Sequence, residues 1–296
     1  MRRALGTAFV LGAALGGCVG APEVPPPPAP VAAPVAAAPL PLPRFVVATS
    51  AQQGSLLRGT APADTTALTL DGKPVRVAPD RAFLIGLDRD AGATAMLSAT
   101  LADGRTVRQP IAVTPRAWSI SRLSTLPKIP LPQPRFDALR PAELAQIAAA
   151  RAKITDADGW RQAFTWPVTG RISTHFGSQR IYANGEAGSY HSGVDVARAT
   201  GTPVAAPAAG VVILAADHPF TLEGNLLMLD HGMGLSSAFL HLSRIDVRVG
   251  DHVRQGQPLG AVGATGRATG PHLHWGLTWQ GARLDPELAT PPTPHG

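Results

Sequence analysis

Residues 270–279 read Gly-Pro-His-Leu-His-Trp-Gly-Leu-Thr-Trp, and their polar and apolar positions separate at a period of two. Leu273, Trp275, Leu277 and Trp279 fall on one face of a strand, and His272 and His274 fall on the other. The apolar row can anchor in a core and leave two imidazoles side by side on the opposite surface. Short apolar runs continue through 166–290, at 211–214, 226–229, 236–242 and 259–262, with glycines at the turns between them. This pattern predicts an antiparallel β domain with almost no helix. Upstream, strand candidates at 44–48, 67–70, 74–77, 82–87, 95–99 and 107–113 are broken by turn signals, of which Asp71-Gly72 and Asp103-Gly104 are hairpin turns. Their regular spacing predicts a small β-sandwich over 45–114.

Residues 115–165 read as a connector. The stretch 126–134 is proline-rich and extended, Pro141 sits where a first helical turn tolerates proline, and 142–153 predicts one helix. Leu144, Ile147 and Ala148 would form its buried face. The expected fold is therefore mainly β: a small N-terminal sandwich-like domain, a short helical connector, and a C-terminal antiparallel domain over 166–290 with a tail at 291–296.

The first residues carry a different signal. Met1-Arg2-Arg3 is a basic start, and the apolar run 4–17 is too short to span a bilayer as a mature helix. The run ends in Leu15-Gly16-Gly17-Cys18, which resembles a bacterial lipoprotein signal, so residues 1–18 are expected to be a signal peptide ending at a lipidated Cys18. An ordinary secretory signal with a stray cysteine is the alternative. Val19, in place of aspartate, resembles sorting to the outer membrane rather than the inner. Residues 19–44 are rich in proline and alanine and read as an extended, semi-rigid spacer. The expected location is the cell envelope, lipid-anchored and facing the periplasm.

Cys18 is the only cysteine, so no internal disulfide can form. The net charge of +6 comes from arginine, because Lys73, Lys128 and Lys153 are the only lysines. A basic balance suits anionic partners such as wall polymers or phospholipid headgroups, although it is more often simply a solvated surface. Nucleic acid is the poorest partner, since no basic run is interleaved with aromatics.

All nine histidines lie at or beyond His175. In the run 190–196, His191, Gly193 and Asp195 share a face if the segment is a strand, with the glycine leaving room between two ligating groups. Adding His274 makes two imidazoles and one carboxylate. Three protein ligands with an open fourth position suit catalytic zinc, and no cysteines are present to close a structural site. The histidine-rich helix motif with a glutamate base is absent, so a histidine must move the proton.

These residues resemble the lysostaphin/LytM-type zinc metallopeptidases, which cleave peptides in bacterial peptidoglycan. The resemblance runs from about Trp166 to Pro286 and rests on Gly170-Arg171-Ile172-Ser173, Phe176-Gly177 with Arg180, His191-x-Gly-x-Asp195, Asp230-His231-Gly232, His241-Leu242-Ser243 and Gly270-Pro-His-Leu-His274. It implies one Zn2+ per chain held by His191, Asp195 and His274, with His241 and His272 as catalytic histidines beside the vacancy. Either could be the base, with the other stabilising the oxyanion or sharing the proton. It also implies a peptidoglycan substrate, with a crosslink containing D-alanine and diaminopimelate as the expected target. One position departs from the family: Phe239 stands where tyrosine is usual, which removes a hydroxyl that could meet substrate.

Each group also has an ordinary reading. His241 alone suits a satisfied histidine at a sheet edge, with Leu240 and Leu242 on the opposite face, and Asp195 alone suits a turn. His231 is expected to be structural, and Arg180 to pair with a carboxylate that holds the sheet. His175, His218, His252 and His295 read as surface residues, and His175 could border a groove. Two other functions compete with the hydrolase. One is a catalytically silent regulator of the same fold that activates a cell-wall amidase. The other is a wall-binding module whose N-terminal β domain is the working part.

Overall fold

The computed structural model describes residues 43–123, 131–182 and 184–292. The expected signal peptide, Cys18, most of the spacer, most of the 126–134 stretch and His295 lie outside the described residues.

Seven strands precede the connector: β1 (Ser50–Gln52), β2 (Leu56–Thr60), β3 (Thr65–Leu70), β4 (Lys73–Val75), β5 (Ala82–Gly86), β6 (Thr94–Leu101) and β7 (Thr106–Thr114). Five of them form a sheet in the order β1-β7-β6-β3-β4, and β2 pairs with β5. Asp71 and Gly72 join β3 to β4 with φ of 49° and 80°, the doubly positive geometry of a tight hairpin. The strand expected at 44–48 shrinks to a single bridge between Val46 and Thr60. β1 pairs in parallel with β7, a long-range contact that local alternation does not encode.

The connector departs further from expectation. It contributes β8 (Ile120–Leu123) and α1 (Gln133–Arg151). Proline stands in the first turn of α1, as Pro134, whereas Pro141, expected to open the helix, lies inside it and forgoes one intrahelical bond. The buried face is Glu143, Ile147 and Ala150, and Leu144 is 49% exposed. Polar pairing explains the roll. Glu143 accepts from the Thr221 amide and hydroxyl, each at 2.6 Å, and from Arg140 Nη1 at 3.0 Å. A carboxylate that finds three donors inside outweighs the burial of one leucine.

The C-terminal region holds β9 (Arg171–Thr174), β10 (Gln179–Tyr182), β11 (Gly193–Ala197), β12 (Pro203–Ala205), β13 (Gly210–Ala215), β14 (Asn225–Gly232) and β15 (Leu235–Leu242). It continues with β16 (Arg244–Ile245), β17 (His252–Val253), β18 (Pro258–Ala261), β19 (His272–Trp279), β20 (Ala282–Leu284) and the short α2 (Pro286–Ala289). The main sheet runs β17-β13-β14-β15-β19-β11-β9, with β20 on β19, and β12, β18 and β16 form a smaller sheet. β8 pairs in parallel with β10, so the connector is stitched to this region. Among the described residues no helix is long and apolar enough to cross a membrane.

The alternation in β19 is realised in space. Leu273, Trp275 and Leu277 are fully buried and Trp279 is nearly so. One buried cluster runs from Phe83, Ile85 and Leu97 through Trp275 and Leu277 to Leu284, so both β regions share the core that β19 anchors. A polar chain fixes the strands around it. Trp275 Nε1 donates to Ser237 Oγ at 3.1 Å, that hydroxyl donates to His231 Nε2 at 2.8 Å, and His231 Nδ1 donates to the Ala209 carbonyl at 2.8 Å. His231 thus ties β14 to β15 and β19 as a neutral imidazole. Its burial pushes the pKa down to about 4.

Candidate metal centre and groove

β11 and β19 are antiparallel neighbours, and their register sets Asp195 directly opposite His274. Side chains opposite one another in a ladder project to the same face, so a carboxylate and an imidazole meet there. Their approach depends on Gly193, where a Cβ would run into the Trp275 carbonyl oxygen. The room that this glycine leaves is therefore filled by backbone of β19 and not by a ligand. His191 lies two residues before β11 begins, rather than within it. It is held there by its amide, which donates to the Ser178 carbonyl at 2.9 Å, and by its carbonyl, which accepts from Gly177 at 2.8 Å.

The donor atoms of the three residues converge. His191 Nε2 is 2.9 Å from Asp195 Oδ1 and 2.9 Å from His274 Nδ1, and His274 Nδ1 is 2.8 Å from Asp195 Oδ1. All three groups are buried, and their ligand atoms lie within 4.8 Å of one another. Protons alone do not rationalise this triangle. His191 Nδ1 faces the His175 carbonyl at 3.1 Å, which assigns the ring proton to Nδ1 and leaves a lone pair on Nε2. That lone pair points at a carboxylate oxygen and at a second imidazole nitrogen. A lone pair aimed at a carboxylate oxygen 2.9 Å away calls for a cation between them, and a carbonyl behind the imidazole is the usual support for a metal ligand. The donor set fits zinc in type and number, with a further coordination position left for water or substrate.

The surrounding charges agree. Burial pushes the Asp195 carboxyl up, but His191, and after it His274, more than offset this and hold it well below the usual carboxylate range. Burial pushes His274 down to about 4 against the pull of Asp195. The Asp195 carboxylate and the His274 imidazole are thus in their metal-ligating forms at neutral pH.

Two further histidines face the same place. His272 Nε2 lies 3.8 Å from Asp195 Oδ1, and its Nδ1 donates to the Gly270 carbonyl at 2.8 Å. His241 Nδ1 donates to the Thr265 carbonyl at 2.8 Å. In each, the carbonyl takes the Nδ1 proton and Nε2 offers a lone pair. The two rings are 4.8 Å apart, and His241 is 6.3 Å from His274. Burial, with His274 and His272, pushes His241 down to about 3. His241 is not an ordinary edge histidine. Its φ is +63°, a left-handed conformation that costs a non-glycine residue about 1–3 kcal/mol. The twist breaks the alternation of β15, so Leu240 packs on the smaller cluster with α1 and Leu242 enters the main core. Those two leucines consequently do not share a face.

These groups open onto a groove of about 410 Å3 that also contains Arg180, Arg267, Tyr190 and Glu223. The connector supplies part of its wall through Ser121 of β8 and Phe136 of α1. Tyr190 donates from its hydroxyl to Asp88 Oδ1 at 3.2 Å, so the N-terminal sheet region holds a groove residue next to His191. Its neighbour in sequence was the only signal that could have singled it out. Phe239 is fully buried opposite Trp275, and a hydroxyl there would point into the core rather than at substrate. Arg180 makes no ion pair among the described residues, contrary to the expected structural carboxylate. His175 bonds Glu287 on the exterior at 3.0 Å, and His218 and His252 are exposed.

Known proteins share this arrangement of sequence. The profile of peptidase family M23 matches residues 189–286, which include the three converging donors and both groove histidines. The peptidoglycan DD-endopeptidase ShyA of Vibrio cholerae is 38% identical over 138 residues, 46% of this chain and 32% of that protein. The DD-carboxypeptidase/endopeptidase Mpg of Neisseria meningitidis is 38% identical over 125 residues, 42% of this chain and 28% of that protein. The chain thus spans about a third or less of these relatives. A crystal structure assigned to peptidase M23 from Pseudomonas aeruginosa covers 80% of this chain and 93% of its own, at 30% identity and a TM-score of 0.61. With likeness sustained over nearly the whole of that structure, connector and N-terminal strands included, the chain belongs to peptidase family M23.

Proposed function

We propose that this protein is a zinc-dependent endopeptidase that hydrolyses peptide bonds in bacterial peptidoglycan, in stem peptides or crosslinks. The observation that carries the reading is the convergence of His191, Asp195 and His274 on one point, with two further imidazoles beside it. ShyA and Mpg, named for action on peptidoglycan or on DD-peptide bonds, support the substrate class. In this reading His191, Asp195 and His274 hold the metal. When bound, zinc supplies positive charge that acidifies water and polarises a carbonyl. His272 and His241 divide the remaining work. One Nε2 lone pair takes the proton of the attacking water and returns it to the leaving amine, and the other shares in that proton transfer. The groove orients an extended peptide across these atoms.

We further propose that the mature chain is lipid-anchored at Cys18 and faces the periplasm, on the outer membrane, with residues 19–44 holding the folded part away from the lipid. The sequence Leu15-Gly16-Gly17-Cys18 and the proline-rich spacer support this. Cys18→Ser should move the protein from the membrane to the soluble fraction; unchanged fractionation would refute the anchor.

The hydrolase is tested by incubating zinc-loaded protein with peptidoglycan sacculi, with and without chelator. The expected result is release of muropeptides that chelator abolishes and zinc restores. No release by protein shown to hold zinc would overturn the hydrolase and favour the amidase regulator.

A further inference from the structure

Arg180 sits in β10 with its backbone pinned from two sides. Its carbonyl accepts from the Gly188 amide at 2.9 Å and from Gln179 Nε2 at 3.2 Å. The guanidinium lines the groove with Asp195, His272 and His274, and no carboxylate comes within the 4.0 Å of an ion pair among the described residues. Arg267 stands in the same groove, where its Nη1 donates to Tyr182 Oη at 3.1 Å. The tyrosine ring fits there because Gly188 has no Cβ to strike it. Arg283 adds a third guanidinium to the lining.

The anions of the groove are already engaged. Asp195 belongs to the donor triangle, and Glu223 receives Arg140 Nη1 at 2.6 Å and Nη2 at 2.8 Å. Arg140 reaches it from α1, outside the catalytic face. A half-buried guanidinium without an anion is costly, and its planar fork matches a carboxylate with two parallel bonds. The groove therefore offers strong, directional binding to one more negative group, which none of the described residues supplies.

We propose that Arg180, with Arg267 beside it, binds a free carboxylate of the substrate peptide next to the scissile bond, so that the enzyme selects acidic over amidated peptides. This rests on the hydrolytic reading above and adds the feature of the substrate that the groove recognises. It makes Arg180 a specificity residue rather than part of the sheet's scaffold.

The test uses the full chain, zinc-loaded, carrying His272→Ala so that bound peptide is not consumed. Calorimetry compares two crosslinked peptides that differ only in one group beside the D-alanyl bond, a carboxylate in one and a primary amide in the other. The carboxylate form should bind at least about tenfold more tightly, as expected for a charged bidentate pair. Arg180→Gln in the same background should bring the two affinities within about twofold, and Arg180→Lys should fall between, having charge without the fork. Zinc content checks that each variant is folded. Equal affinity for the two peptides in the parent, no binding of either, or an equal weakening of both by Arg180→Gln would overturn the proposal. Failure of wild-type protein to cleave sacculi would refute the hydrolase separately, because the affinity ratio is read without turnover.

Discussion

Acid should unfold this protein through His231. The imidazole is fully buried, donates from Nδ1 to the Ala209 carbonyl and accepts at Nε2 from Ser237, whose oxygen in turn accepts from Trp275. A second ring proton has nowhere to go, since Nε2 would then face a hydroxyl that must surrender its own donor role. The folded pKa of about 4 lies below the ordinary value of 6.5. Between those two values the unfolded chain binds a proton that the native chain does not, so stability is complete above the upper value and declines as pH falls to the lower. A separation of roughly 2.5 units at 1.36 kcal/mol each makes the loss about 3 kcal/mol. Urea unfolding of zinc-loaded wild type and His231→Gln, measured from pH 7 to pH 4, isolates this contribution, because every other titrating group is common to both. The variant is expected to be less stable at pH 7 but to lose about 3 kcal/mol less across the range. Parallel declines would refute the reasoning, as would an NMR titration placing His231 near its ordinary value.

Two further outcomes follow from the site and from α1. His272→Ala should keep its zinc and lose about 10²–10⁴-fold in muropeptide release, whereas Asp195→Ala should lose the metal itself; metal analysis showing equal loss in both would undo the division between ligands and proton carriers. Arg140→Leu takes the cation from Glu143, which is 4% exposed and keeps only its Thr221 donors, and frees Glu223 in the groove wall. It should cost about 3 kcal/mol in urea unfolding, and Arg140→Leu with Glu143→Gln should recover much of that, since the amide keeps an acceptor for Thr221 and removes the uncompensated buried charge.

Much of this protein was legible in the chain. Alternation along β19 needed only neighbours two residues apart and one buried face, so the apolar row and the two imidazoles opposite it could be read without coordinates. The Asp-Gly turns were legible for the same local reason. The family spacing gathered His191, Asp195, His241, His272 and His274 as candidates. Geometry between distant segments was not legible. Asp195 and His274 are 79 residues apart in sequence, and only the register of β11 against β19 sets them face to face. The left-handed turn at His241, the roll of α1 onto Glu143 and the buried orientation of Phe239 each follow from which partner waits across the gap. Arg180 shows the limit most directly. An arginine looks the same in sequence whether a carboxylate stands opposite it or not, and only the folded chain decides which charges remain for a ligand to answer.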